Sequence, residues 1–195
     1  MGAVAGLREL KKQRTRAAIQ EHALRLFTEQ GYDATTIEQI AAAAEISPAT
    51  FFRYFPTKED LLIQDDHDPL LTAALLAAPP DMPTVAAVRK AMRDVFGNMP
   101  EEQLASIKVR LRMIVSVPSA RARAIDNIMA SVDVLAEPLG RRQGVPATDP
   151  RVRAQAGALI GAMTAGALGW VGDDGPGDLR DVVDDALAAL DGLTG

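Results

Sequence analysis

Hydrophobic side chains recur at the spacing of an α-helix along the first part of the chain. Over residues 9–30 they form one face and charged side chains form the other, which is the pattern of an amphipathic helix. The hydrophobic face carries Ile19, Ala23, Leu26 and Phe27. Gly31 follows, and glycine readily adopts the left-handed conformation found just after a helix. We therefore expect a long first helix that ends at residue 30.

Two short helices are predicted directly after it. Thr36 can cap a helix over residues 37–44, and Ser47 followed by Pro48 is a typical start for a second one. Pro56 ends this second short helix. Two short helices joined by a turn of about three to four residues form a helix-turn-helix, whose second helix enters the major groove of DNA.

The aromatic residues of the second short helix predict which of its faces is buried. Phe51 and Phe55 lie four residues apart and can pack inward against the first helix. We then expect Thr50, Arg53 and Tyr54 to face outward. One face of this helix would anchor it and the other would be free to contact DNA.

The side chains of this region predict a DNA-binding surface. Hydroxyl groups and a lysine suit phosphates, an arginine suits a guanine or a phosphate, and small residues permit close approach to base edges, including a thymine methyl. The predicted DNA contacts are Thr36, Pro48, Ala49, Thr50, Phe52, Arg53, Tyr54 and Lys58. The basic side chains of residues 8–16 have two open interpretations, a solvated start of the chain or a contact with the DNA backbone or minor groove.

Proline and glycine divide the rest of the chain into further helices, and no segment shows the alternation of a strand. These helices are predicted over residues 58–78, 84–98, 101–117, 118–139, 151–171 and 177–190. The sequence therefore predicts an all-α fold with a helix-turn-helix head over residues 1–56 and a larger helical body over residues 57–195.

The net charge of −5 argues against a nucleic-acid partner, but the distribution of charge changes this interpretation. Residues 1–16 contain five lysines and arginines and a single acidic residue. Residues 173–195 contain seven aspartates, with Arg180 as their one basic residue. A basic start and an acidic end place any phosphate contact at the N-terminal end.

The composition also excludes several kinds of chemistry. The chain has no cysteine, so it has no disulfide framework, thiolate zinc site or thiol nucleophile. His22 and His67 are too few for a metal cluster, and no P-loop, dinucleotide or serine-hydrolase motif is present. The first residues lack the apolar core of a signal peptide, and the apolar tract 157–172 is shorter than the roughly 20 residues of a membrane span. We expect a cytoplasmic protein with no membrane partner, metal, cofactor or catalytic activity.

A resemblance to a known family joins these observations. The run ALRLFTEQGYDATTIEQIAAAAEIS, followed by PATFFRYFPTKEDLL, resembles the DNA-binding head of the TetR family of repressors. The resemblance covers residues 12–63 and implies that the body binds a small molecule and dimerises. It also implies DNA contacts at Thr36, Thr50, Tyr54 and Lys58. Phe52 stands where the family commonly has tyrosine, so a hydroxyl contact with the DNA backbone is lost there.

The body contains several candidate residues for a ligand site. Flexible methionines and nearby residues could line a pocket, although methionine more often fills an ordinary core. The candidates are Met99, Arg110, Met113, Ile114, Met129, Met163 and Trp170. Four arginines could instead form a site for an anionic ligand: Arg110, Arg112, Arg121 and Arg123. The alternative is that they are ordinary solvated charges on a helix surface.

The run GALIGAMTAGALG predicts a surface for self-association. Gly157, Gly161 and Ala165 lie four residues apart, so they form a smooth helix face on which a symmetry mate can pack closely. The resemblance places the dimer contact in the last two helices, which agrees with this position. The alternative is that the last helix packs only within its own subunit.

The leading hypothesis is a homodimeric repressor that binds a palindromic operator and is released by an unidentified small molecule. One alternative is a DNA-binding regulator whose body only dimerises, and a body without a cavity larger than a few waters would favour it. A further alternative is a helical small-molecule binding protein or enzyme that retains the head, and a lack of salt-sensitive DNA binding would favour that one.

Overall fold

The computed structural model describes residues 2–63, 68–172 and 177–193. Within these ranges the regular structure is helical and no strand is present, so the predicted all-α fold is confirmed. The helices are α1 (Gly2–Gln30), α2 (Ile37–Ala43), α3 (Pro48–Tyr54), α4 (Asp60–Ile63), α5 (Asp68–Ala77), α6 (Thr84–Phe96), α7 (Glu101–Ser116), α8 (Pro118–Gln143), α9 (Pro150–Gly172) and α10 (Leu179–Ala188), followed by a 3₁₀ turn (Ala189–Leu193).

The helix bounds agree with the sequence pattern except near chain ends and breaks. Helix α1 starts at Gly2 and not at residue 9, because good helix formers surround its early glycines. Helix α8 continues through Pro138 to Gln143. His67 lies outside the described residues, and within them no group of acidic and histidine side chains could hold a metal ion.

The first compact unit consists of Met1–Gln64 and Met113–Arg123. Helices α1 to α4 bury a common core, to which the later segment adds Ala120. The buried side chains are Ile19, Ala23, Phe27, Tyr32, Ile40, Ala41, Phe51, Phe55, Leu61 and Leu62. The boundary expected at residue 56 lies inside this unit because Leu61 and Leu62 pack on the head, as does Met113 from the later segment.

The second compact unit consists of Asp65–Arg112 and Ala124–Gly195. Its core is formed by α5, α6, α8, α9 and α10 around Val88, Leu139, Leu159 and Leu187. Helix α10 lies close to α9 at Gly166, where an added Cβ would stand 3.0 Å from the Cβ of Ala186. A glycine at this position therefore sets the spacing between the two helices.

Arg142 closes the end of α5 inside the second unit. Its guanidinium donates to the carbonyl oxygens of Leu75 (3.1 Å), Ala78 (2.8 Å), Pro79 (2.8 Å) and Met82 (3.2 Å). The arginine thereby binds the last turn of α5 to the segment that follows it, and Leu75 and Pro79 also accept backbone N–H groups.

Helix α9 is long and apolar enough to cross a membrane by length and composition alone. The sequence expectation that this tract is too short rested on its most apolar part, whereas the helix has 23 residues. Its Val152, Ala156 and Leu159 are buried in the core of the second unit. One side of α9 thus belongs to a protein core.

Candidate DNA interface and ligand cavities

The start of α2 is fixed by a reciprocal pair of hydrogen bonds. The backbone N–H of Gln39 donates to Oγ1 of Thr36 at 3.2 Å, and the backbone N–H of Thr36 donates to Oε1 of Gln39 at 2.8 Å. This capping box satisfies donors that have no partner within the helix. The side chain of Thr36 remains exposed at the surface of the head.

The turn between α2 and α3 depends on one left-handed residue. Glu45 has a φ of 55°, and the N–H of Ile46 donates to the carbonyl of Ala41 at 2.9 Å. This closes the end of α2 and redirects the chain at once into α3. Ser47 caps α3 because its Oγ accepts from the backbone N–H of Thr50 at 3.1 Å.

Helix α3 has a fully buried face and a contrasting exposed face. Phe51 and Phe55 are completely buried, as the four-residue spacing predicts. The exposed face carries Pro48, Ala49, Phe52 and Arg53, and 49% of Phe52 is accessible. The outermost surface is therefore an apolar strip that ends in an arginine.

Thr50 and Tyr54 lie at the edge of this exposed face. Both are half-buried, and Tyr54 packs against the core of the first unit. Thr50 accepts a hydrogen bond from the hydroxyl of Ser47 at 3.0 Å. The sequence analysis expected both side chains to face outward, whereas the structure leaves each of them partly exposed, Tyr54 because it packs on the core.

The side chain of Lys58 is half-buried and is bonded to other parts of the head. Its Nζ donates to the carbonyl oxygens of Tyr32 (2.9 Å) and Thr35 (3.1 Å), and it stands 4.1 Å from the centre of the Tyr32 ring. The ammonium group therefore holds the turn between α1 and α2. The ammonium group of Lys58 already donates to two carbonyl oxygens, so a phosphate bound there would compete with them for its hydrogen bonds.

The same turn contains a buried tyrosine. Burial first, and then the carboxylate of Glu59, raise the pKa of Tyr32 well above its ordinary value. The group is thus a neutral phenol at any physiological pH, and it contributes a packed aromatic ring to the head.

The basic side chains near the start of α1 differ in their surroundings. Lys11, Lys12 and Arg14 are exposed, and the guanidinium of Arg16 lies 4.8 Å from the centre of the Phe55 ring.

The predicted ligand residues are distributed over different places. Met163 lines two apolar cavities of the second unit, and Trp170 lines a third, more polar one. Met113 and Ile114 pack on the core of the first unit. Met99 is buried, Arg110 is half-buried and Met129 is 60% exposed. None of these last three lines one of the three cavities in the described part of the second unit.

The two apolar cavities have similar volumes, about 220 and 230 Å³. Met92, Phe96 and Met163 line both of them. Sequence reasoning missed Met92 and Phe96. The signal was available, because Val88, Met92 and Phe96 follow one another at intervals of four on one face of α6.

The charges beside the second cavity are paired with each other. Asp184 accepts from Arg89 at 2.9 and 2.5 Å and from Arg93 at 2.9 Å. The hydrogen bonds from Arg89 hold the pKa of the Asp184 carboxyl below its ordinary value. The guanidinium of Arg180 is also paired. It donates from Nε to Oδ1 of Asp178 at 2.8 Å and from Nη1 to the carbonyl oxygen of Gly97 at 3.1 Å.

The third cavity lies beside the single tryptophan. The indole Nε1 of Trp170 donates to the carbonyl of Gly177 at 3.1 Å, and Nζ of Lys108 stands 4.7 Å from the ring. These contacts fix the indole at the edge of the cavity.

A capped two-helix element with one buried face and one exposed face, joined to a second helical unit with cavities, defines a helix-turn-helix DNA-binding regulator. Comparison with known families agrees. Residues 19–64 match the family described as bacterial regulatory proteins, tetR family, and residues 82–193 match the MftR C-terminal domain. The chain belongs to the TetR family of transcriptional regulators.

Individual relatives cover most of the chain. The HTH-type transcriptional regulator TcmR of Streptomyces glaucescens is 33% identical over 151 residues, which are 74% of this chain and 67% of TcmR. The TetR-family repressor FadR of Thermus thermophilus, solved in complex with lauroyl-CoA, is 28% identical with a TM-score of 0.54, over 90% of this chain and 92% of its own.

A more distant structure supports the fold alone. The fatty acid degradation regulator FadR of Bacillus halodurans is 20% identical with a TM-score of 0.55, over 89% of this chain and 96% of its own. The family and these relatives are transcriptional regulators and not enzymes, in agreement with the sequence.

Proposed function

We propose that this regulator is a cytoplasmic homodimeric repressor that binds a palindromic operator and is released by a small molecule bound in the second unit. The observation that carries the DNA half is the exposed face of α3, which is held outward by the completely buried Phe51 and Phe55. A short helix fixed in this way can enter a major groove without losing its packing.

Each predicted DNA-contact residue of the head has a role in this proposal. Arg53 contacts a guanine or a phosphate, and Pro48, Ala49 and Phe52 make apolar contacts with base edges. Thr36 contacts a phosphate from the surface of α2. Thr50 and Tyr54 contact the DNA from the edge of the face. Lys58 acts indirectly, because it fixes the turn that positions α2.

The dimer contact is proposed on the uncovered side of α9. Ala158, Gly161, Ala165 and Leu168 are exposed along this side, and among the described residues an added Cβ at Gly161 would meet nothing within 4 Å beyond the backbone of its own helix. Small side chains allow two such helices to approach closely. A two-fold axis at this face would present two heads to half-sites about 34–36 Å apart.

Ligand release is supported by the cavities of the second unit. A water occupies roughly 30 Å³ in the liquid, so each apolar cavity exceeds the space of a few waters. FadR of Thermus thermophilus was solved with lauroyl-CoA, so a relative at 28% identity binds a small molecule. A ligand that favours a dimer whose heads do not match the grooves would weaken DNA binding, and DNA would weaken ligand binding equally.

The DNA half is tested by selecting duplexes from a random library with the purified protein and measuring their affinity by mobility shift at several salt concentrations. Arg53→Ala is expected to weaken binding by about 5- to 150-fold, because one arginine contact with a base is worth about 1–3 kcal/mol. Arg141→Ala is the matched control, since Arg141 is an exposed arginine of α8 paired with Glu137. Equal affinity of the Arg53 variant and the wild type would contradict the proposal.

A further inference from the structure

The two apolar cavities of the second unit share a wall made of flexible side chains. Met92 and Phe96 of α6 and Met163 of α9 line both cavities. Methionine has three rotatable bonds and a polarizable sulfur, so it can change rotamer at little cost. The two cavities therefore meet at side chains that can change conformation.

The sizes of the cavities indicate that they act together. Ligand pockets usually have a volume of about 300–1,000 Å³. Each cavity alone, at about 220 or 230 Å³, lies below this range, and the two together lie within it. A molecule of ordinary ligand size is larger than either cavity alone, and it can occupy both if the shared side chains move aside.

The polar groups of the lining restrict the chemistry of that molecule. In the first cavity the polar side chains are the hydroxyls of Thr72 and Ser131, both half-buried. In the second cavity Asp184 is already bonded to Arg89 and Arg93, and Arg180 is bonded to Asp178. A ligand carboxylate or phosphate would have to compete with these carboxylates for the same arginines.

We propose that the two cavities are halves of one ligand chamber divided by Met92, Phe96 and Met163, and that its ligand is an uncharged, largely apolar molecule long enough to occupy both halves. One hydroxyl or carbonyl group of the ligand bonds to Thr72 or Ser131. The proposal rests on the ligand role given above to the second unit, and it adds the chemical class of the ligand and the residues that divide its chamber.

The charge selectivity is tested with two dyes that share one ring system. Phenylnaphthylamine is uncharged, whereas anilinonaphthalenesulfonate carries a sulfonate, and both fluoresce more strongly in apolar sites. The full-length protein is expected to bind the uncharged dye at least tenfold more tightly, with one dye per chain. Tighter binding of the sulfonate, or no saturable binding of either dye, would overturn the proposal.

The single-chamber geometry is tested by narrowing each half separately. Val134→Phe narrows the first cavity from its exposed rim, and Ile107→Phe or Ala167→Leu narrows the second. Each variant is expected to lower the affinity for phenylnaphthylamine at least tenfold, because the dye needs both halves. If the cavities are separate sites, the wild type binds two dyes and each variant keeps one with unchanged affinity, which would contradict the proposal.

The role of the wall is tested by shortening one of its side chains. Met163→Ala is expected to raise the affinity for phenylnaphthylamine at least threefold, because the dye no longer has to displace the thioether. Met99→Ala is the matched control, since Met99 is a buried methionine that lines neither cavity. If both substitutions change the dye affinity equally, the effect comes from a general loss of packing, and the proposal that Met163 separates the two cavities is wrong.

Failure of this inference and failure of the proposed function give different results. Mobility shift with the selected duplex, measured on the same preparations, reports the DNA half independently of any dye. A protein that binds DNA but no dye would support the proposed repressor and contradict the single ligand chamber. A protein that binds the dye but no DNA would support the chamber and contradict the proposed repressor.

Discussion

Arg123 donates a hydrogen bond from Nε to Oδ1 of Asp60 at 2.9 Å, and the two residues lie 63 positions apart in the chain. Asp60 is only 1% exposed, and its second carboxylate oxygen accepts from the backbone N–H of Thr57 at 3.0 Å. The second turn of α8 is thereby joined to the start of α4 within the first unit. A buried carboxylate of this kind depends on its partner.

Arg123→Ala is expected to destabilise the first unit because it leaves the Asp60 carboxylate buried without its cation. Arg123 is partly exposed, so the expected loss is about 1–3 kcal/mol in the free energy of unfolding measured with urea. Arg121→Ala, at an exposed neighbour, is the control. A loss no greater than that of the control would contradict the role of the pair.

Lys58→Gln is expected to weaken the head before it weakens any single DNA contact. The substitution removes charged donors from the carbonyls of Tyr32 and Thr35, at a cost of about 1–2 kcal/mol in unfolding free energy. Urea unfolding and the salt dependence of DNA affinity separate the two roles. An unchanged stability with a shallower salt slope would show that Lys58 acts as a phosphate contact instead.

Phe52 is expected to read thymine methyl groups, because it is a large, exposed apolar side chain on the face of α3 that we propose contacts DNA. Phe52→Ala should lower the affinity for a selected duplex about tenfold, and replacing thymine by uracil in the half-site should have little further effect on this variant. Leu70→Ala, at an exposed leucine of the second unit, is the control. Additive losses from the two changes would rule out a direct contact.

Gly161→Glu is expected to shift the protein from dimer to monomer. The substitution puts a charge on the exposed face of α9, where an added Cβ lies more than 4 Å from the described residues outside its own helix, so the fold of one subunit should be preserved. Sedimentation measures the change, and Ala130→Glu on the exposed side of α8 is the control. A Gly161 variant that remains dimeric would place the contact elsewhere.

Asp184→Asn is expected to destabilise the protein in a pH-dependent manner. The folded-state pKa of Asp184 is lowered by Arg89, so its contribution is complete above the ordinary carboxyl pKa of about 4 and is lost as the pH falls through the lowered value. The variant should be less stable by on the order of 1 kcal/mol at pH 7, because the pair is partly exposed.

The difference between this variant and the wild type should then close in acid, as measured by thermal unfolding between about pH 7 and pH 3. Asp185→Asn, at the exposed neighbouring position, is the control. A difference that stays constant across this range would mean that the Asp184 carboxylate contributes nothing through its charge.

Local signals predicted the head well because each acts over a few residues. Thr36 and Ser47 cap α2 and α3, and the spacing of Phe51 and Phe55 buries one face of α3. The exposure of individual side chains at the edge was harder to predict. Tyr54 packs against the core, and Phe52 takes the outward position, because the exact rotation of α3 depends on what it packs on.

The sequence alone determined the helical class, the order of the helices and the position of the helix-turn-helix, since periodicity, caps and proline breaks are local properties. Tertiary packing decided the rest. It turned Lys58 inward to two carbonyl oxygens, joined residues 113–123 to the head and brought Met92 and Met163 to one wall. These are contacts between distant parts of the chain, and no pattern of neighbouring residues specifies which distant surfaces meet.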